Sequence, residues 1–194
     1  THLLQPRLAP AMQTIEEFVQ EASGLQKQSN LQLLIALFTV YADKVNATET
    51  FDNFIKWGNM LLHDFNEIDR HLVDPYQLFN NLLDAKTIEN WGVEPGQETE
   101  LMANFLAFWK HLNPLYNAFN AALDAQNLSY QGKAYRKVAD DLTRVDALLG
   151  DKYEGIYLLG FNALNKAEEN IFQHMLEAHN AVALWDADAF YMND

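Results

Sequence analysis

The sequence has no cysteine, and this absence excludes disulfide bonds, thiolate zinc sites and cysteine nucleophiles together. Serines are few, and none of them, Ser23, Ser29 or Ser129, lies in the Gly-x-Ser-x-Gly motif of α/β-hydrolases. The phosphate-binding motif Gly-x-x-x-x-Gly-Lys-Ser/Thr does not occur, and neither does the Glu-x-x-His pair of di-iron helix bundles. The chain therefore lacks the motifs of several common enzyme classes.

Basic residues and long apolar runs are also scarce. Thirteen Lys and Arg stand against 27 Asp and Glu, a net charge of −14, so a broad surface for phosphate backbones is not expected and any DNA contact must be local. The longest apolar segment, Leu31–Ala42, is too short to span a bilayer, and His2–Pro10 does not have the apolar core of a signal peptide. We expect a cytoplasmic protein with no membrane partner. Because the first residue is Thr1, we expect a piece of a longer or processed polypeptide.

The composition is that of a folded protein, with 49% hydrophobic, 12% aromatic and 21% charged residues. Its 194 residues can form one domain, or one domain that carries an inserted subdomain. Capping residues and apolar positions at helical spacing predict helices over Thr14–Gly24, Leu31–Val45 after an N-cap at Asn30, Phe51–Leu72, Pro75–Ala85 after Asp74, Glu98–His111 and Pro114–Gln126. We expect a break or kink at Asn113–Pro114 and a loop at Lys86–Gly96.

The stretch from Lys152 to Tyr191 predicts a strand, a helix and a second strand. Ile156–Leu159 and Ala181–Trp185 are continuously apolar, which is typical of strands that are covered on both faces. Between them Ala163–Ala178 has helical spacing, with Asn162 as the predicted N-cap. Such a unit predicts two parallel strands joined by a right-handed crossover, with its chemistry at the carboxyl ends of the strands.

The residues at those strand ends resemble two motifs of superfamily I helicases of the RecB and AddAB type. In those helicases the first strand ends in Asp-Glu (motif II), and the second runs into Gly-Asp-x-x-Gln-x-Ile-Tyr (motif III). The first strand here reads LLGFNALN and has Gly160 and Phe161 in place of the two acids. The second reads LWDADAFY and keeps Asp186 and Tyr191, with Ala189 in place of the glutamine. The tracts at 130–136 and 161–165 also resemble AddB-like and Bacteroidetes proteins that end in a PD-(D/E)XK nuclease.

The resemblance is thus to an inactivated helicase module. Phosphoryl transfer needs carboxylates for Mg²⁺ and for the attacking water, and neither Gly160 nor Phe161 can supply one. The resemblance implies a mostly α fold with a small parallel β-sheet, a helicase-like core fragment that carries a large helical subdomain. We divide the chain into an N-terminal segment and capped helix (1–29), a helical subdomain (30–150) and a strand–helix–strand core unit (151–194).

The implied function is that of a scaffold or DNA guide in a bacterial recombination and repair helicase-nuclease. No catalysis and no cofactor are expected in this chain, although the parent protein can be a nuclease. The expected partners are the rest of its own polypeptide, a helicase subunit and, through a local surface, DNA. The alternative is an acidic helical protein-interaction domain with no role on DNA.

A local concentration of basic residues is the candidate DNA surface. Lys133, Arg136, Lys137 and Arg144 would project within about 100° of one another on a continuous helix, and Lys152 follows. With Tyr130 and Tyr135 beside them, this basic stripe could combine phosphate neutralisation with base stacking. The alternative is a solvated face on which the cations pair with Asp140, Asp141 and Asp146.

A third hypothesis is a metal-dependent enzyme. His63, Glu67 and His71 are spaced four residues apart on one predicted helix, so their side chains could meet around a metal ion. The sequence indicates no fourth ligand for such a site.

Overall fold

The computed structural model describes residues 10–46, 48–89, 100–150, 152–161 and 163–184. The helices are α1 (Ile15–Ser23), α2 (Asn30–Lys44), α3 (Phe51–Arg70), α4 (Pro75–Glu89), α5 (Glu100–Asp124), α6 (Gln131–Asp140), α7 (Thr143–Leu149) and α8 (Lys166–Ala178). The strands are β1 (Gln26–Lys27), β2 (Leu128–Ser129), β3 (Tyr157–Leu159) and β4 (Val182–Leu184), and they form two parallel pairs, β1 with β2 and β3 with β4. The prediction of a mostly α fold with a small parallel sheet is confirmed.

Short polar motifs fix where the first helices begin. The Thr14 side chain accepts the N–H of Glu17, and the Glu17 carboxylate accepts the N–H of Thr14, so the predicted capping box is confirmed. The helix ends at Gly24, whose φ of 66° lies in the left-handed region that glycine adopts without strain. For α2 the predicted cap at Asn30 is wrong by one residue. Ser29 is the N-cap, because its hydroxyl and Gln32 form a second capping box.

Two helices are longer than the sequence predicts. Helix α4 extends past Ala85 to Glu89, into the segment predicted as a loop. Helix α5 runs continuously through Pro114, so a break at Asn113–Pro114, one of the two predicted outcomes, does not occur. Leu112, Leu115 and Tyr116 on both sides of the proline are buried in the core. Packing on both sides of Pro114 thus offsets the one backbone hydrogen bond that proline removes.

Two clusters of buried apolar side chains hold these elements together. The first core cluster joins α2, α3, α4 and α5 and includes Phe54, Phe65, Phe119 and the ring of Tyr130. The second core cluster joins α1, α6, α7 and α8. Helices α1, α6 and α7 therefore share a core with the C-terminal unit, and the clusters do not follow the predicted boundaries at residues 29 and 150.

Helix α6 connects the two clusters. It packs against α3 on one side and against α1 and α8 on the other. Close approach to α3 depends on Gly132, because a Cβ at this position would lie 2.3 Å from the backbone oxygen of Asn66. The N–H of Gly132 donates to the Asn66 side chain at 2.7 Å, which fixes the register of the two helices. Among the residues that the structure describes, no helix is long and apolar enough to cross a membrane.

Candidate functional site at the C-terminal strand–helix–strand unit

The predicted strand–helix–strand unit is present, and its strands are parallel. Tyr157, Leu158 and Leu159 of β3 pair with Val182, Ala183 and Leu184 of β4, and α8 lies between the two strands in the chain. The pairing continues one bond beyond the strands, since Val182 N–H donates to Ile156 O at 2.9 Å. The carboxyl ends of both strands therefore lie at the same edge, where the sequence predicts the functional residues.

At the carboxyl end of β3 the backbone turns at Gly160. Its φ is 76°, a left-handed conformation that strains residues with a side chain. Phe161 follows, and its ring packs edge-on against Phe172 of α8 with centroids 4.5 Å apart. The two residues that the sequence comparison aligned with motif II thus form a turn and a core contact. The motif III residues Asp186, Ala189 and Tyr191 lie outside the described residues.

The start of α8 differs from the prediction. The helix begins at Lys166, and its N-cap is Asn165 rather than Asn162. Asn165 is selected because its side chain accepts the N–H of Glu168 at 3.0 Å while the Glu168 carboxylate accepts the N–H of Asn165 at 3.0 Å. Glu168 and Glu169 place negative charge in the first turn. A phosphate group would be repelled there, although a helix N-terminus without such acids attracts anions.

The described residues cover only one face of the two strands, where the sequence predicts cover on both. Leu158 and Ala183 face α8 and line a small apolar cavity of about 140 Å³ with Phe161 and Phe172. The alternate residues form an exposed sheet face that consists of Tyr157, Leu159, Val182 and Leu184, with Tyr157 65% and Leu159 58% exposed, and Leu184 also lines the cavity. The cavity is smaller than the roughly 300–1,000 Å³ of typical ligand sites, so it does not fit a nucleotide.

The predicted basic stripe is divided between two helices. Helix α6 ends at Asp140 and α7 begins at Thr143, so Arg144 does not continue the helix face of Lys133, Arg136 and Lys137. The break falls at Asp141, whose backbone (φ −138°, ψ 79°) leaves the helical region. The prediction that all four cations project from one side of a continuous helix is therefore wrong.

Most of the predicted cations contact acids or carbonyls of the protein itself. Lys133 Nζ lies 2.9 Å from Asp124 Oδ1 and donates to the Asn120 side chain at 3.1 Å. Arg144 Nε lies 3.1 Å from Asp141 Oδ2. Exposed Lys152 donates to the carbonyl of Leu148 at 2.9 Å.

Lys137 has a different environment. Burial, followed by the neighbouring charge of Arg144, lowers its pKa. Of the five predicted cations, Lys137 and Lys152 are thus the two whose removal breaks no ion pair that the structure records.

The two aromatic residues of the stripe lie in the core. Tyr130 is the N-cap residue of α6, and its ring stacks on Phe119 with centroids 5.8 Å apart. Tyr135 is almost completely buried in the second core cluster. In this structure neither ring offers a face for base stacking, because both lie among the buried residues of the two core clusters.

A buried polar network was not predicted, and Arg136 is part of it. Asp69 of α3 is 1% exposed, and its carboxylate accepts hydrogen bonds from the hydroxyls of Tyr116 and Tyr130. Arg136 Nε lies 2.5 Å from Asp69 Oδ1, and Nη2 donates to the carbonyls of Ile68 and Val73. Burial, and then the charge of Asp69, raises the pKa of both tyrosines. Arg136 thus serves the junction of α3, α5 and α6.

The predicted metal ligands on α3 do not converge. His71 Nε2 lies 3.5 Å from Glu67 Oε2, but Glu67 also pairs with Arg70, and His63 joins neither. His71 is already beyond the end of the helix, so the four-residue spacing does not apply to it. Among the described residues, one group of three His, Asp or Glu side chains has converging ligand atoms, and it consists of Asp146, His174 and His179.

This second group joins α7 to the end of α8. Asp146 Oδ1 lies 2.6 Å from His174 Nε2 and 2.7 Å from His179 Nε2. The hydrogen bonds from His174 and His179 lower the pKa of Asp146. Spacing along the sequence could not reveal this group of three residues, because Asp146 is 28 and 33 residues from the two histidines.

Comparisons with protein-family models, with curated proteins and with solved structures found no match to the chain.

Proposed function

We propose that the chain is a non-catalytic, helicase-like module of a bacterial DNA recombination and repair helicase-nuclease, and that it acts as a scaffold within that polypeptide. The observation that carries the proposal is the parallel unit of β3, α8 and β4 with Gly160 and Phe161 at the end of its first strand. This is the order of elements that the resemblance to motifs II and III implies. A PD-(D/E)XK nuclease would belong to another part of the same polypeptide.

The geometry at the strand end supports the absence of motor chemistry in this chain. Gly160 adopts a left-handed φ, Phe161 packs on Phe172, and Glu168 occupies the helix N-terminus as part of a capping box. An active motor needs carboxylates for Mg²⁺ and water at this edge and positive potential for the phosphates. In this chain Gly160 and Phe161 supply no carboxylate, and Glu168 places negative charge at the helix N-terminus.

The internal use of the basic residues favours a scaffold over a DNA guide. Lys133, Arg136 and Arg144 pair with acids of the protein, and the net charge is −14. Each phosphate contact on DNA needs a cation, and a cation already paired with a carboxylate is costly to recruit. Lys137 and Lys152 remain as candidates for a local DNA contact.

The exposed sheet face gives the scaffold a contact surface. Parallel sheets are found almost only where both faces are covered, and two strands alone are marginally stable. Tyr157, Leu159, Val182 and Leu184 are therefore expected to pack against further elements of the natural polypeptide. This expectation belongs to the helicase-like hypothesis, in which the sheet continues beyond β3 and β4.

The scaffold role is tested with Leu159→Ser and Leu184→Ser, each made both in the purified chain and in the natural polypeptide that contains it. In the isolated chain each variant is expected to change the free energy of unfolding by no more than about 0.5 kcal/mol, because both side chains are already exposed. In the natural polypeptide each should lower the melting temperature and expose new protease sites. Ile35→Ser on α2 is the matched control, since Ile35 is also an exposed aliphatic residue. Equal effects of all three variants in the two contexts would contradict the proposal.

Nucleotide turnover is the second test. The purified chain with Mg²⁺ and ATP should release phosphate no faster than buffer, and Gly160→Asp should not change this result. Turnover that is abolished by a substitution at Gly160 or Phe161 would contradict a non-catalytic module.

The choice between scaffold and DNA guide needs a binding measurement. We expect no salt-dependent change in the fluorescence anisotropy of labelled single-stranded or duplex DNA when the chain is added. The informative variant is the double change Lys137→Glu and Lys152→Glu, because Arg136→Glu would disturb the core. Salt-sensitive binding that this variant loses would assign the guide role.

A second candidate function, an acidic helical protein-interaction domain, is favoured by one observation. Leu31 and Ile35 on α2 and Met60 on α3 are exposed apolar residues, and the hydrogen bond of 2.8 Å between Asn30 and Asn59 places the start of α2 beside α3 near Met60. If this surface binds the partner, Ile35→Ser rather than Leu159→Ser should weaken assembly of the natural polypeptide with its partner subunit.

A further inference from the structure

Three metal-ligating atoms converge at a place that the scaffold role does not use. Asp146 Oδ1 lies within 2.7 Å of His179 Nε2 and 2.6 Å of His174 Nε2, and all three ligand atoms lie within 4.8 Å of one another. The two imidazole rings are 5.7 Å apart between centroids and inclined by 74°, so both nitrogens point at one oxygen from different directions. Two imidazoles and one carboxylate form a ligand set that is common for divalent transition metals.

The fold fixes the three residues independently of any ion. His174 lies just before the last turn of α8, and His179 is the C-cap residue of this helix, held by donation of its N–H to the carbonyl of Met175. Asp146 lies in the middle of α7, whose Val145 and Leu149 are buried in the second core cluster. Both histidine side chains are mostly buried, whereas the Asp146 side chain is 45% exposed. The site is thus rigid on its inner side and open to solvent on one side.

The electrostatics of the site favour a cation. Asp146 contributes a full negative charge, and the C-terminus of α8 adds partial negative charge from its last carbonyls. The ion pairs that the structure records for Asp146 involve the two imidazoles and no lysine or arginine of the described residues. A divalent ion would therefore meet one carboxylate and two imidazole nitrogens, with no lysine or arginine of the described residues paired to that carboxylate.

We propose that Asp146, His174 and His179 bind one divalent transition-metal ion of the zinc type, which ties α7 to the C-terminal end of α8. Nitrogen donors favour zinc over magnesium and calcium, because the latter two prefer oxygen ligands. Three protein ligands leave one tetrahedral position, and the open side at Asp146 lets a water molecule fill it. The ion stabilises the second core cluster by joining α7 and α8 more strongly than the two hydrogen bonds of Asp146 that link them now.

The required movement is small. Tetrahedral zinc with bonds of about 2.1 Å separates its ligand atoms by roughly 3.4 Å, which is about 0.7 Å more than the present hydrogen-bonded distances. Rotation of the exposed Asp146 side chain can supply this increase. The competing arrangement is a carboxylate that only accepts two imidazole N–H bonds, and it is the alternative that the experiment must exclude.

The test is a calorimetric titration of the purified full chain with zinc chloride, with magnesium chloride as the comparison. We expect one zinc per chain, no saturable magnesium binding and a higher melting temperature with zinc. Cobalt chloride should give the visible absorption of a tetrahedral site. Asp146→Asn and His174→Ala should each weaken zinc binding by more than about tenfold, the loss that even an outer-shell change can bring. His63→Ala and His71→Ala are matched controls that should leave binding unchanged.

Three results would overturn the proposal: no saturable zinc binding, zinc binding that survives both Asp146→Asn and His174→Ala, or zinc binding that is lost in the His63 and His71 variants. Circular dichroism shows whether each variant is folded. If a variant does not fold, the zinc ligands are identified by nuclear magnetic resonance of the wild-type chain. Zinc must then shift the imidazole signals of His174 and His179 and leave those of His63 in place.

Discussion

Arg136 of α6 and Asp69 of α3 form an ion pair in the core, with Arg136 Nε 2.5 Å from Asp69 Oδ1. The Asp69 side chain is 1% exposed and the Arg136 side chain 22% exposed. The carboxylate also accepts hydrogen bonds from the hydroxyls of Tyr116 and Tyr130, so both oxygens of this buried charge have hydrogen-bond partners. The residue that the sequence offers as a DNA contact is thus a structural link between two helices.

Removal of Arg136 is therefore expected to destabilise the fold severely. In Arg136→Ala the buried Asp69 carboxylate loses its countercharge, and the carbonyls of Ile68 and Val73 lose their donor. Breaking a buried pair on one side costs about 3–5 kcal/mol. Urea denaturation followed by circular dichroism measures the loss.

Lys137→Ala is the matched control, since it removes the adjacent cation of the same helix. Burial already lowers the pKa of Lys137, so its removal should change the free energy of unfolding by less than about 1 kcal/mol. Similar losses for the two variants would show that the ion pair with Asp69 is not what stabilises this junction.

The close approach of α6 to α3 gives a second prediction. Gly132→Ala would normally favour a helix, but its Cβ would lie 2.3 Å from the Asn66 backbone oxygen, which cannot move without shifting α3. We expect a loss of about 1–3 kcal/mol, the usual cost of overpacking. Gly155→Ala, whose Cβ would meet its nearest neighbour, an atom of the Tyr157 ring, at an ordinary 3.5 Å, should be close to neutral in the same denaturation experiment. A stable Gly132→Ala protein would contradict the observed helix spacing.

The elements that the sequence predicts well are those whose signals are local. The capping box of Thr14 and Glu17 and the apolar period of α3 depend on residues within one helix, and both predictions are confirmed. The parallel pairing of β3 with β4 was also predictable, because an apolar strand on each side of one helix allows few other topologies. Pro114 was misinterpreted since packing on both sides of it overrides the local preference.

The candidate site was predictable only in part, because its contacts are long-range. Gly160 and Phe161 could be placed at a strand end from the sequence, and they lie there. The pairing of Arg136 with Asp69 spans 67 positions and has no local signature. The convergence of Asp146 with His174 depends on how α7 packs beside α8, and spacing along the sequence carries no information about that packing. The spacing of basic residues along one predicted helix therefore indicated an exposed stripe. In the folded protein Lys133, Arg136 and Arg144 form ion pairs with acids of the same chain.

The N-cap of α8 gives a third prediction. Asn165→Ala removes the acceptor of the Glu168 N–H, whereas the bond from the backbone N–H of residue 165 to the Glu168 carboxylate does not depend on the side chain. The expected loss is about 1 kcal/mol, typical of an N-cap deletion. Asn165→Ser keeps an oxygen acceptor at the N-cap and should retain most of this stabilisation. If thermal denaturation shows equal losses for alanine and serine, the cap does not determine where α8 begins.

Alkaline conditions give the last prediction, because several buried tyrosines must ionise on unfolding. Burial, followed by the hydrogen bond to Glu49, raises the pKa of Tyr41 to about 12. Burial likewise raises the pKa of Tyr116, Tyr130 and Tyr135. An unfolded tyrosine has a pKa of about 10, so above this pH the unfolded chain binds fewer protons than the folded one. The stabilisation is therefore complete below about pH 10 and is lost as the pH rises through about 12.

The measurement is the free energy of unfolding between about pH 8 and 12, with tyrosinate absorbance recorded in parallel. We expect a steep decline above about pH 10, and ionisation of the buried tyrosines together with unfolding. Tyr41→Phe loses the hydrogen bond of 2.7 Å to Glu49 and should be less stable at neutral pH by about 1 kcal/mol. Its decline at alkaline pH should nevertheless be shallower, since one fewer group ionises on unfolding. Tyr76→Phe is the control, because it removes the same hydroxyl from a residue that is 64% exposed. A wild-type profile that stays flat to about pH 12 would mean that these hydroxyls ionise as readily in the folded protein as in the unfolded chain.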